Sequence, residues 1–125
     1  MIGLPTETMQ DIDEMVQLAK KIKNKYKTFD LSFGFSTFVP KPNTPFQWCG
    51  REDTKSIENK IEYLKKELHK LGIKSQFSSA KWDYYQAVLS RGDESYTQFL
   101  IDIYRKDGKT GAFKSSAKLN NINTD

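Results

Sequence analysis

The residues with chemical potential in this chain are few. A single cysteine, Cys49, and a single histidine, His69, leave no set of about four ligands for zinc or an iron–sulfur cluster, and no partner for an internal disulfide. Any metal chemistry must therefore come from elsewhere. His69 stands among Lys66, Leu68 and Lys70 without a carboxylate-paired motif, and reads as a surface histidine. What remains is chemistry done by backbone in turns. In SFGFSTFVPKPNTPFQW, Ser32 to Trp48, an alternating segment gives way to Pro40 and Pro42, which hold the chain extended, and to Asn43, which tolerates a positive φ before Thr44-Pro45. In the opening MIGLPTET, Gly3 allows close backbone approach and Pro5 fixes the turn. Rims of this kind at the C-terminal ends of parallel strands are where α/β folds bind ligands. A purely structural Gly-Pro turn is the plain alternative.

The elements that must position these rims follow from periodicity. Thr8 is a candidate N-cap with Asp11 at the third helical position, and Ile12, Met15, Val16, Ala19, Ile22 and Tyr26 recur at helical spacing, predicting a helix over about 9–26. Phe29, Leu31, Phe33 and Phe35 then alternate with Asp30, Ser32, Gly34 and Ser36, a strand with one bulky and one small polar face. That small face either admits a ligand or is merely solvated. A second helix is expected after Asp53 or Thr54, with Ile57, Ile61, Leu64, Leu68 and Leu71 on one stripe and Gly72 as its left-handed C-cap. IKSQFS, Ile73 to Ser78, reads as a short strand, and WDYYQAVLSRG as a helix with Trp82, Tyr85 and Leu89 on one side. A last helix carries Phe99, Leu100, Ile103 and Tyr104, before a KDGKTG turn and a loosely ordered polar tail, SSAKLNNINTD. The order is that of a parallel α/β sheet or barrel whose first strand is truncated.

At 125 residues, 37% apolar and 29% charged, the chain has the profile of one globular domain rather than of a disordered segment. No apolar run approaches the roughly 18 residues of a membrane span, and the N-terminus lacks a secretory pattern, so a cytoplasmic protein without membrane contact is expected. The net charge of +4 sits mostly on helix faces and helix C-termini, which favours solvated faces over a nucleic-acid surface.

Together, Gly3-Leu4-Pro5-Thr6-Glu7-Thr8 and Pro40-Lys41-Pro42-Asn43-Thr44-Pro45, joined by one helix and a strand, resemble the GLPGET-like turn and P-x-P-G-T-P-like rim of the radical S-adenosylmethionine superfamily. FSTFVPKPNTPFQW followed by WDYYQAVLSRGD and GAFK is similar to a bacterial subfamily of these enzymes that often carries a cobalamin-binding-like domain; the resemblance covers about residues 1–114. It implies an α/β fold, the C-terminal fragment of a partial (β/α)6 TIM-like barrel with a helical extension. The divisions are residues 1–72 for the last βα units, 73–114 for the C-terminal strand and helices, and 115–125 for the polar tail. Two departures matter. Thr6 and Asn43 stand where glycine is usual, and since only Asn readily adopts the left-handed conformation, Thr6 is expected to have an ordinary one. The C-x-x-x-C-x-x-C loop that holds the superfamily's 4Fe-4S cluster is absent.

The resemblance implies cofactor contacts by position: Ser36, Phe38 and Val39, with Gly3 and Pro5, beside the adenosine and methionine parts of S-adenosylmethionine. It assigns no catalytic residue and no metal ligand to this chain. Ser32 and Gly34 face into the barrel, either leaving room for cofactor or filling space. Lys41 and Trp48 read as a solvated rim and a packing anchor, with substrate contact as the alternative, and Trp82, Tyr84 and Tyr85 read as core. The implied function is the C-terminal portion of an enzyme that cleaves S-adenosylmethionine reductively to a 5′-deoxyadenosyl radical, with cobalamin as a further candidate cofactor. The chain alone is expected to be inactive, its partner being the N-terminal part of the same enzyme or a split-gene product. The alternative is a non-catalytic interaction module that recruits a partner through an open sheet edge.

Overall fold

A computed structural model describes residues 1–124. Helix α1, Met9–Lys25, starts in a full capping box: the Thr8 side chain accepts from the Asp11 amide while the Asp11 carboxylate accepts from the Thr8 amide. Strand β1, Ser32–Phe35, pairs in parallel with β2, Lys74–Phe77, in the register Ser32 to Lys74 through Phe35 to Phe77. Between them runs α2, Thr54–Lys70, capped by Asp53, with Gly72 at φ +65° after its end. Three further helices follow: α3, Ala80–Leu89; α4, Thr97–Arg105, entered through a 3-10 turn at Glu94–Tyr96; and α5, Thr110–Leu119.

The opening residues add a third parallel segment. Ile2 bridges to Thr37, its amide donating to Ser36 O (2.9 Å) and its carbonyl accepting from Phe38 N (2.7 Å). On the opposite edge of β1, Leu31 O and Phe35 O accept from Lys74 N and Ser78 N. Ile2, β1 and β2 therefore lie side by side in chain order, linked by α1 and α2. Both helices cover the same face: Ile2, Ile12, Val16, Ile57, Ile61 and Leu64 form one buried cluster with Phe35 and Phe77 against it, and Ala19, Leu68 and Ile73 extend it past Phe33. The other face, carrying Ser32, Gly34, Ser36, Lys74 and Gln76, is exposed. The fold is mixed α/β with a small parallel sheet.

Two expectations are corrected. Phe29 is 64% exposed and lies outside the strand, packed edge-on against Tyr26 in the turn after α1. The segment expected as a loose tail from Ser115 instead begins with the second half of α5, whose Ser116 and Ala117 are buried. It belongs to a second core, in which Phe113 stacks on Tyr85 (3.9 Å between centroids) and meets Phe99 edge-on (5.1 Å). The division at residue 115 thus falls within a helix.

Candidate functional site

The C-terminal ends of the parallel segments gather at one edge of the sheet. There the Gly3–Thr8 turn carries two left-handed residues, Gly3 at φ +81° and Thr6 at +70°. The conformation of Thr6 overturns the expectation of an ordinary backbone at that position. The proline rim after β1 carries the expected one, Asn43 at φ +59°. Thr6 and Asn43 are therefore both left-handed without being glycine.

The first turn is held from below by a buried ionic cluster. Glu7 Oε1 accepts from Gly3 N (2.8 Å) and from Lys60 Nζ (2.9 Å), and Lys60 also donates to Glu52 Oε2 (2.7 Å). The side chains of Glu7 and Lys60 are only 4% and 5% exposed. Burial disfavours the Lys60 ammonium, but the hydrogen bonds to Glu52 and Glu7 outweigh it and hold its pKa above that of an ordinary lysine. A Cβ added at Gly3 would be strained by the φ of +81° and would stand 3.3 Å from Glu52 Oε2 and from Ile57 Cδ1, pressing on both side chains.

A second polar joint ties the strand ends to the helical half. Asp83 Oδ2, on α3, accepts from Thr37 Oγ1 (2.6 Å) and Ser78 Oγ (2.5 Å), and Ser78 Oγ in turn accepts from Thr37 N (3.1 Å). Arg51 crosses from the rim to α3, donating to Glu52 O (3.0 Å), Thr54 Oγ1 (3.3 Å) and Ala80 O (2.7 Å).

The residues picked from sequence converge. Gly3, Pro5, Ser36, Phe38 and Val39 all lie on the adjacent ends of the Ile2 segment and β1. Their backbone groups are partly spent: Ser36 O and Phe38 N pair with Ile2, and Gly3 N with Glu7. Phe38 is 6% exposed and packs edge-on against Phe46 (5.8 Å), while the Ser36 side chain stands on the exposed face. Other assignments shift. Trp48, expected as a packing anchor, is 88% exposed, and Trp82, expected in the core, is half exposed on Tyr85; only Tyr85 of the Trp82–Tyr85 group is buried. Lys41 is half-buried rather than solvated, His69 is exposed, and Cys49 is half-buried.

Sequence reasoning missed Glu7, Arg51, Glu52, Lys60 and Asp83. One carried a signal: Lys60 falls between Ile57 and Leu64 on the apolar stripe of α2, where a buried ammonium demands a carboxylate partner. The others meet only through the fold.

No family model matches the chain, and no solved structure matches it. Over 100 residues it is 36% identical to an uncharacterized protein of Methanocaldococcus jannaschii. The matched stretch is 80% of this chain, which spans 22% of the length of that protein.

Proposed function

We propose that the chain is the C-terminal part of a radical S-adenosylmethionine enzyme, supplying the last strand-and-helix units of its partial (β/α)6 barrel. The observation that carries this reading is the pair of left-handed residues, Thr6 and Asn43, on neighbouring strand ends at the two positions where the resembled motifs have glycine. Non-glycine residues hold this conformation at a cost of about 1–3 kcal/mol and persist where the surroundings impose it. The parallel order of Ile2, β1 and β2, with both helices on one face and a small polar face left open, is also what one side of such a barrel requires.

A 4Fe-4S cluster does not fit the residues present, because Cys49 is one ligand where three are needed; in this reading the ligands belong to a preceding segment. Cobalamin has no residue here to argue for it. S-adenosylmethionine fits better, since Val39 and the Phe38 carbonyl lie on the rim outside the Ile2 pairing, and Gly3 and Pro5 shape the neighbouring turn. When bound, S-adenosylmethionine would supply the carbon–sulfur bond that one electron from the cluster of the preceding segment cleaves, to methionine and the 5′-deoxyadenosyl radical; this chain's residues would orient it and close the site against water. We place the protein in the cytoplasm on the expectation above. No described helix is long and apolar enough to cross a membrane.

The test extends the protein upstream through its genomic sequence and reconstitutes it anaerobically with iron and sulfide. 5′-Deoxyadenosine after reductant and S-adenosylmethionine, lost when the upstream cysteines are changed, is the expected result. No upstream cysteine loop, or no product from protein carrying its cluster, overturns the reading. It would favour the second one, a partner-binding module, which the exposed Ser32–Ser36 face and the unpaired outer edge of β2 support.

A further inference from the structure

Where the rim after β1 meets α3 and the chain's last described residues, the structure forms a half-open cavity of about 620 Å³, within the roughly 300–1,000 Å³ of small-molecule sites. Its apolar floor is formed by Pro40, Ala87 and Val88, and Tyr84 and Tyr96 present aromatic surface to it. Two arginines, Arg51 from the rim and Arg91 from the end of α3, line the same space. Neither forms an ion pair among the described residues. Arg51 is fastened by the three neutral oxygens named above, and Arg91 donates to the carbonyls of Cys49 (2.5 Å) and Gln47 (3.4 Å).

The acidic groups of the lining are already engaged. Glu52 pairs with Lys60, and Asp53 caps α2 by accepting from Ser56 N (2.9 Å). Neither carboxylate lies within ion-pair distance of Arg51 or Arg91, so the two guanidiniums line the cavity without a salt bridge, although Asp53 and Glu52 still act on Arg51 through space. Arg51 Nε is buried without an acceptor, so this guanidinium is both desolvated and short of one hydrogen bond. Burial lowers its pKa from the ordinary arginine value, against the opposing pull of the Asp83 carboxylate.

We propose that this cavity binds a small molecule carrying an aromatic ring and one anionic group, phosphate or carboxylate: the ring against Tyr84, Tyr96 and Val88, the anion on Arg51 and Arg91. Planar guanidinium groups suit such anions, and a ring among tyrosines adds dispersion and π contacts. The inference goes beyond the radical-enzyme reading and does not rest on it, since absence of 5′-deoxyadenosine leaves the cavity unchanged.

The experiment titrates the full chain with AMP and with indole-3-carboxylate, which separate the phosphate and carboxylate sources. Adenosine and inorganic phosphate serve as probes lacking one half of the recognition, and amide shifts are followed by NMR. Saturable shifts centred on Gly50, Arg51, Val88 and Tyr96 are expected with at least one ring-bearing anion, with roughly tenfold or more weaker binding of both half-probes. Arg91→Gln should weaken binding by a similar factor. Gly92→Ala tests the ring wall without changing charge, because its Cβ would lie 2.2 Å from Tyr96 Cδ2 and must displace that ring. Far-UV circular dichroism checks that both variants fold. No saturable shift with either anion, equal binding of adenosine and AMP, shifts away from the cavity, or folded variants that bind unchanged would each overturn the proposal.

Discussion

Thr6 holds a left-handed backbone with a β-branched, solvent-exposed side chain, whereas Asn43 does so with a side chain that tolerates it. Thr6→Gly should therefore stabilise the chain by about 1 kcal/mol, and Asn43→Gly by less than about half that, both read from denaturant midpoints. A loss of stability in Thr6→Gly would mean that the side chain itself is needed. Lys60→Met should cost about 3–5 kcal/mol, because it leaves the buried Glu7 carboxylate, with the partly exposed Glu52 beside it, without their cation. The pH signature follows from the raised Lys60 pKa: its contribution is complete below the ordinary lysine value of 10.5 and is lost as pH rises through the higher folded value. Tyr63, through its bond to Asp13, and Tyr85, through burial, are also raised and lose stability on the same alkaline side. Lys60→Met should flatten part of the decline above about pH 10.5 in a denaturant series, and an unchanged decline would contradict the assignment. At this scale the sequence was legible for Asn43 and Gly3, whose backbone chemistry is intrinsic. It was misleading for Thr6, whose conformation is imposed by the turn around it.

Among the elements, α1, α2 and the two strands were readable because each has a single clear period and a clear end signal: Thr8 and Asp11, Asp53, Gly72. Helix α5 was not, because its core-facing positions hold Ala112, Ser116 and Ala117 beside a single large residue, Phe113, and such small side chains look like a polar tail. Phe113→Ala should nonetheless cost about 3–5 kcal/mol, since its ring joins α5 to both Tyr85 and Phe99. Urea unfolding gives that value directly; a change under about 1 kcal/mol would show that α5 packs only loosely. The site split along the same line. Gly3, Pro5, Ser36, Phe38 and Val39 were named by position from the resemblance, and the fold sets them on adjacent strand ends. Arg51 and Asp83 were not, because what makes them informative is the meeting of β1, β2 and α3.

For the whole molecule, the bare sheet face and the unpaired edges of Ile2 and β2 predict concentration-dependent self-association and a broad thermal transition in the chain by itself. Light scattering after size exclusion measures it, and a sharp, monomeric transition would count against an incomplete sheet. Within the chain, the α/β half and the helical half have separate cores, and few side-chain links cross between them. Asp83 is the compact one: a single oxygen on α3 receives hydroxyls from the ends of two neighbouring strands. Considered as a mechanical joint, it is a rivet through three plates. A shear that slid α3 along the sheet would have to break both bonds at once, while a tilt about that point would strain neither equally. The helical half is fastened at both ends of α3, by Asp83 at its start and by Ser90 on the Pro40 carbonyl and Arg91 on those of Gln47 and Cys49 at its end, so whatever fills the space beside Val88 and Tyr84 sits between two anchors to the strand ends.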